Sequence, residues 1–402
     1  MKTKFLALAL VTGLFLNSCS SSDDPTPTPV VTPATGEITG PITKDITYAY
    51  GNYTLKGIVK INEGVTVTFE AGSIITIDKA TGDNALVVLK GGKLITKGTA
   101  DKPVVFTEKS KLPGSWGGII MYGDAPVNVA GAKSSSTSED GNNISYGGTN
   151  PTHNGGSLVY TRVEYAGSKL ADGQKENNGF TFYSVGSGTT LDHLVSYKGA
   201  DDGYEFFGGT VSMTNAISYG NYDDAFDWQD GWQGTANTNW YAYQTGKGNY
   251  GMEIEASAND NAYGPKVSNI TLRREAGNVP EAGDNQVDAF QFKREGNGEY
   301  SNIIIDGYGN YTTTGTPAVT YFGSAVSILD VATNDHQVKT SKIKLLNVKI
   351  SNTTNILPIG ATADIVVAFP TGTFVQSNTA TGASLTAGAW CTVDGVNLLT
   401  KL

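Results

Sequence analysis

The hexapeptide Asp201-Asp202-Gly203-Tyr204-Glu205-Phe206 returns 22 residues later as Asp223-Asp224-Ala225-Phe226-Asp227-Trp228. The register extends upstream, where Leu194-Val195-Ser196-Tyr197 aligns with Ala216-Ile217-Ser218-Tyr219. An earlier copy reads Asn177-Asn178-Gly179-Phe180-Thr181-Phe182. Later copies are Tyr250-Gly251-Met252-Glu253-Ile254-Glu255, displaced by a loop, and Val287-Asp288-Ala289-Phe290-Gln291-Phe292. Self-similarity at such a period marks stacked units, each too small to bury its own apolar face. A period of 22 suits one coil of a parallel β-helix: three short strands and three turns, with coils about 4.8 Å apart. The expected fold is therefore all-β, a right-handed parallel β-helix. Phe180, Tyr204, Phe226, Ile254 and Phe290 should form one inward column, and Phe182, Phe206, Trp228 and Phe292 a second.

Working outward, the N-terminal half fits the same plan. Leu55–Ile61 alternates as a strand, and Val65–Phe69, Ile74–Ile77, Leu86–Leu89, Lys93–Thr96 and Val104–Thr107 follow between Gly- and Asp-containing turns. Glycine is 50 of 402 residues, tyrosine 20, and charged residues only 16%, with no long helical periodicity. The polar, Gly-rich stretch 132–156 should project as a loop. Beyond about residue 310 the repeat weakens, although Lys342–Val348 reads as a strand. The last residues, with Trp390 and Leu398-Leu399, are expected to cap the open end.

The segments EGVTVTFEAGSIITI, GGKLITKGTADKPVVFT and GSWGGIIMYGDAPVN resemble β-helical extracellular proteins related in shape to pectate lyases. NNGFTFYSVGSGTTLDHLVSYKGADDGYEFFGGTV and DDAFDWQDGWQG look like a bacterial surface-protein family of that fold with no agreed function. The resemblance covers roughly residues 45–310. It implies the fold and is nearly silent on activity.

The chain opens with MKTKFLALALVTGLFLNSC. Lys2 and Lys4 precede an apolar run from Phe5 to Leu16, shorter than the roughly 20 residues that span a bilayer. It reads as a secretory signal over residues 1–18. Leu16-Asn17-Ser18-Cys19 looks like the lipobox of bacterial lipoproteins, in which the cysteine sulfur takes a diacylglycerol and cleavage leaves Cys19 as the N-terminus. Residues 19–44 read as a Pro/Thr-rich tether and 45–402 as one β-helix domain. Within the tether, Ser22, Asp23 and Asp24 resemble the acidic export signal of surface lipoproteins in some Gram-negative bacteria; a generic solvated linker is the plain alternative. Together these place the protein at the cell outer membrane, held by acyl chains and facing outward.

Loss of Lys2 and Lys4 would move the formal charge by two units, from −10 to −12. An acidic body argues against nucleic acid as a partner, which needs basic patches, and suits divalent cations. With Cys19 acylated, Cys391 is the one remaining cysteine, so no disulfide framework is possible.

Strand alternation sorts the acidic repeats into two faces. Asp202, Asp224 and Asp288, with Asn178, share parity with the inward aromatics and read as caps on backbone donors at the turns. Glu205, Asp227 and Glu255, with Asp201 and Asp223, should point outward. Carboxylates stacked about 5 Å apart repel, which favours raised pKa values or a bound cation. Asp201, Glu205, Asp223 and Asp227 are therefore the candidate Ca²⁺ ligands, against the plainer reading of a solvated acidic face. Pectate-lyase-type catalysis would pair such calcium with a cationic base, for which Arg274 is the candidate among Arg273, Arg274, Lys293 and Arg294; surface cations are the plain alternative. Trp232 and Trp240 are candidate stacking platforms for a sugar. His153, His193 and His336 lack metal-ligand spacing.

The leading expectation is a non-enzymatic binding module for a glycan or a protein partner. The alternatives are a calcium-dependent polysaccharide lyase or glycoside hydrolase, and an accessory subunit of an outer-membrane protein complex.

Overall fold

The computed structural model describes residues 32–169, 177–260, 264–281 and 283–402. Cys19, Ser22, Asp23 and Asp24 lie outside the described residues. The body, Pro33–Leu402, is a right-handed parallel β-helix in which each strand pairs with its counterpart one coil away.

One face is built of short strands: Ile119–Tyr122, Phe180–Tyr183, Tyr204–Phe207, Phe226–Gln229, Met252–Ile254, Gln286–Phe292 and Thr320–Ile328. They pair in parallel in that order. The repeat reads directly into the register, with Tyr204 opposite Phe226, Glu205 opposite Asp227 and Phe206 opposite Trp228. Rings one coil apart stack along the axis, Phe180 on Tyr204 at 5.1 Å and Tyr204 on Phe226 at 5.4 Å between centroids. One position departs from expectation. Met252, not Ile254, stands opposite Phe226, and Ile254 continues the column of Trp228. The residue that extends the Glu205–Asp227 column is therefore Glu253, and Glu255 falls past the strand end.

The remaining faces come from longer strands: Gly156–Glu164, Thr190–Tyr197, Met213–Tyr219, Asn237–Gln244, Lys266–Arg274, Gly298–Asp306 and Ile343–Ser351. Each bends at a residue of positive φ: Tyr160, His193, Asn215, Asn239, Asn269, Asn302 and Asn347. The bend lets one strand serve two faces. Gly156–Val159 pairs with Leu94–Lys97, while Thr161–Val163 pairs with Val104–Phe106. Asparagine tolerates the left-handed region better than most residues. Its amide also bonds its neighbours along the axis: Asn239 Nδ2 donates to Asn215 Oδ1 at 3.0 Å and Asn302 Nδ2 to Asn269 Oδ1 at 2.6 Å.

Three expectations need correction. The strand Ala34–Ile42 pairs in parallel with Gly51–Ile61, so the sheet begins inside the stretch read as tether. The 132–156 segment does not simply project. Its hairpin, Ser136–Thr137 against Ser145–Tyr146, folds back on outward aromatics. Tyr146 packs at 4.9 Å from Tyr183 and donates its hydroxyl to Asp230 at 2.5 Å, while Tyr122 donates to Asp140. The C-terminal tail does not cap the open end. From Ser377 it returns across the outside of the bent strands. Thr381 N donates to Asn302 Oδ1 at 2.7 Å, Ala383 N to Thr271 Oγ1 at 3.0 Å and Ser384 N to Asn239 Oδ1 at 3.2 Å. Further back, Trp390 N donates to the Ala100 carbonyl at 3.0 Å. Trp390, Val393 and Leu398 are buried with Val195, Ile217 and Tyr241 on that outer face. Apolar residues at outward strand positions need such a cover.

Candidate cation site on the acidic turns

The turns that lead into the short strands Tyr204–Phe207 and Phe226–Gln229 stack one above the other, and each carries an Asp pair. Asp202 Oδ1 accepts from the Asp224 backbone N–H at 2.8 Å, and Asp224 Oδ1 accepts from that of Tyr250 at 2.7 Å. Asp288 accepts from the Ser327 hydroxyl at 2.6 Å. Asp202 and Asp224 thus cap backbone donors at the turns as expected of the inward column, whereas Asp288 meets a hydroxyl from within a strand and Asn178 donates to the side chains of Thr181 and Glu205. The division into two separate faces does not hold, however, because Asp202 belongs to both. Carboxylate oxygens of Asp201, Asp202 and Asp223 lie within 4.8 Å of one another, and so do those of Asp202, Glu205 and Asp227. A turn residue is not bound by strand alternation, and the parity argument fails there.

The surroundings are largely shielded from solvent. Asp201, Asp202, Asp224 and Asp227 are buried, and Asp223 and Glu205 half-buried. Burial, and then the neighbouring carboxylates, push Asp202, Glu205, Asp224 and Asp227 well above the usual carboxylate range. Glu205 accepts from Asn178 Nδ2 at 2.5 Å and from Gln229 Nε2 at 3.2 Å, and Asp223 from Asn249 Nδ2. Asp227 Oδ1 makes no hydrogen bond although the residue is only 8% exposed. A buried carboxylate oxygen without a donor is costly unless a proton or a cation completes it. One coil further on, the chain supplies its own cation. Lys293 Nζ is 2.6 Å from Glu253 and 3.7 Å from Glu255. Burial alone would lower its pKa, but Glu253, Asp227 and Glu255 outweigh that and raise it.

Of the predicted ligands, the structure brings Asp201 and Asp223 into one group and Glu205 and Asp227 into the other. Asp202 joins the two groups, although its parity predicts only a cap. The other predicted site residues are not where function would need them. Trp232 and Trp240 are 1% and 0% exposed. Asp230 and Gly231, both at positive φ, turn the chain inward so that Trp232 stacks on Phe206 at 4.4 Å. Trp240 sits 4.5 Å from Phe226 and donates its Nε1 to the Met213 carbonyl at 2.9 Å. They are core, so neither offers a platform to a sugar. Arg274 is also buried. Its guanidinium donates to the carbonyls of Asn249 at 3.1 Å and Asn278 at 3.2 Å. Burial lowers it to about 10, which leaves it protonated at neutral pH. It holds a loop and is no base.

The sequence pattern of the family described as a pectate-lyase like beta helix domain matches residues 40–393. No curated protein and no solved structure matches the chain. A match over nearly the whole body, on a chain that forms a single continuous parallel β-helix, means that this protein belongs to the pectate-lyase-like β-helix domain family.

Proposed function

We propose that the protein is a lipid-anchored component of the outer-membrane surface that binds a glycan without cleaving it, and that a Ca²⁺ on the acidic turns forms part of the binding site. The anchoring rests on the lipobox at Cys19 and the acidic run Ser22-Asp23-Asp24. The observation that carries the cation is the convergence of Asp201, Asp202 and Asp223 with Glu205 and Asp227, where Asp227 Oδ1 has no donor. Calcium takes six to eight oxygens. Carboxylates supply some, and sugar hydroxyls or carboxylates suit the rest.

The cations near this site argue against a lyase. A β-elimination needs a base that can shed its proton. Lys293 is held protonated by its carboxylates, Arg274 is buried on carbonyls, and Arg273 is paired with Asp306. A hydrolase is the second reading. Its candidate carboxylate pair is Glu205 and Asp227, whose oxygens come within 4.8 Å of each other.

The test incubates the purified chain with a panel of glycans, with and without calcium, and follows both binding and products. Binding that needs calcium, with no new chain ends, is the expected result. New unsaturated ends would establish a lyase and new reducing ends a hydrolase. Co-purification with a membrane barrel and no glycan bound would favour a complex subunit. Cys19→Ala should abolish acyl labelling, and retained labelling would refute the anchor.

A further inference from the structure

The two ends of the solenoid are finished differently. At the N-terminal end the edge strand Ala34–Ile42 carries Pro41 and Glu37, which pairs with Lys56 at 2.5 Å, and Lys44 and Asp45 follow it. Proline and charge on an edge discourage pairing with another chain. The C-terminal end has neither in its edge strands, Ile359–Gly360 and Phe374–Gln376. They pair on one side with Thr320–Ile328 and Ile343–Ser351, and among the described residues no strand pairs with the other side. Because the tail runs back along the coils, this end is closed by the last coil itself. Ile365 is buried, and Val367, Phe369 and Phe374 pack against the core beside it, with the two rings 5.7 Å apart. The crossing is tight: a Cβ on Gly360 would meet the Ile365 carbonyl oxygen at 2.2 Å.

What faces away from that closure is apolar. With Ile365 and Val367 turned inward, Val366 is 71% exposed; Leu357 is 61% exposed, and Ile356 and Val375 are exposed as well. Gln376 Nε2 donates to the Ile356 carbonyl at 2.8 Å, which holds Val375 and the Ile356-Leu357 pair at one rim. Between Lys349 and Asp394 the chain carries a single charged residue, Asp364. A terminal coil ordinarily needs a polar outer face to stay soluble, and an exposed apolar cluster marks an interaction site. Charge selects the occupant. Copies of a chain of formal charge −10 repel one another, and the repulsion is weak where each offers one carboxylate. The chain enters the body at the other end, so an anchor there leaves this face free.

We propose that the C-terminal end is a homodimer face: two copies meet end to end across a two-fold axis, Leu357 and Val366 of each covering those of the other. The free edges of Phe374–Gln376 then come side by side. A two-fold contact closes on itself, so association stops at two, whereas joining this end to the Pro41 end of another copy would run on as a fibre. The four exposed side chains fall short of the roughly 800 Å² that a stable partner buries per side, so the dimer forms at micromolar concentrations and dissociates on dilution. The proposal is independent of the glycan reading and of its calcium.

The test is sedimentation velocity over about 1–100 μM on the chain from residue 20, which omits the signal and the acylated cysteine and keeps the compact unit Pro33–Leu402 whole. Wild type should pass from monomer to dimer and no further, and added salt should tighten the dimer by screening its net charge. Leu357→Glu with Val366→Glu should raise Kd by about tenfold or more, and so should Leu357→Lys with Val366→Lys. Both are exposed changes, and their melts should match wild type. Mixed together, the Glu and Lys variants should recover a dimer, because only a face that meets itself brings the opposite charges into contact. Should the charged variants melt lower, recovery in the mixture still decides the matter. Ile58→Glu with Ile74→Glu, exposed on the first coils, should leave the dimer as it is. A monomer throughout, a series of higher oligomers, equal weakening by the Ile58 and Ile74 changes, or a mixture that stays monomeric would each overturn the proposal. So would a monomer that binds phosphatidylcholine vesicles through Leu357 and Val366, which would make this end a lipid contact.

Discussion

Asp202 shows at the scale of one residue why this site needs either protons or a cation. One of its oxygens is committed to the Asp224 N–H, and carboxylates of its own coil and of the next lie within 4.8 Å of it. The pKa consequence has a definite sign. Asp202, Glu205, Asp224 and Asp227 are raised in the folded chain, and Asp288 is raised to about 6, chiefly by burial. In the unfolded chain the same groups ionise near 4. Between those values the folded state holds more protons. The stability this contributes is complete below about pH 4 and is lost as pH rises through the folded-state values. Asp192 has the opposite sign. Burial raises it, but hydrogen bonds from His193, Thr214 and Asn215 outweigh that and hold it at about 2. Its contribution disappears only on strong acidification. In chelator, the melting temperature should therefore fall between about pH 5 and pH 8. Calcium should restore it at the upper end and do little at the lower, where protons already occupy the carboxylates. At one hundred times Kd the cation would add about 2.7 kcal/mol. A melt that rises over this range in chelator, or is blind to calcium at pH 8, would show the carboxylates neutralised by the protein alone.

The bent strand is the element that closes each coil, and in five of the seven strands asparagine makes the bend. Asn302 has φ 54°, donates to Asn269 at 2.6 Å and to Thr381 at 3.0 Å, and accepts from Thr381 N at 2.7 Å. Asn302→Ala would force a Cβ-bearing residue with no polar group into the left-handed region. The strain is about 1–2 kcal/mol, and each lost hydrogen bond about 1 kcal/mol. Asn302→Gly relieves the strain but not the bonds. Melting temperatures should rank wild type above Gly above Ala, and identical values for Gly and Ala would refute the strain argument. The signal was present in the chain, as Thr214-Asn215-Ala216, Thr238-Asn239-Trp240, Ser268-Asn269-Ile270 and Ser301-Asn302-Ile303. It escapes a search for alternation because the bend interrupts the very period being sought. The displaced copy at 250–255 failed similarly. Matching Gly251 with Gly179 would have set Met252 opposite Phe226.

Over the whole molecule the tail acts as a strap laid back along the coils. Arg162 Nη1 clamps it, donating to the carbonyls of Ala389 at 2.9 Å, Trp390 at 3.3 Å and Thr392 at 3.0 Å. Beneath the clamp Cys391 is 0% exposed, and burial raises its thiol pKa. Its labelling rate therefore reports strap release. In a Cys19→Ala background Cys391 is the only thiol. Arg162→Ala should speed its alkylation by about tenfold, as for a loss of about 1.4 kcal/mol, with an unchanged β-sheet circular dichroism spectrum. An unchanged rate would mean that Trp390 and Leu398 hold the strap without the arginine.

What the sequence determined by itself is whatever recurs within one period: the solenoid, the pairing of Tyr204 with Phe226, and the stacked carboxylates. A 22-residue repeat leaves each coil a copy of the last, so neighbours in space can be read from neighbours in the pattern. Only the tertiary structure decided that Trp240 lies inside, that Arg274 holds a loop, that Asp202 joins two carboxylate groups and that the tail runs back over the outer face of the bent strands. Those outcomes depend on turns that escape strand alternation. They also depend on contacts such as Arg162 with Trp390, between residues far apart in the chain. No local period encodes such a contact, because it forms only once the stacked coils present a surface to receive it.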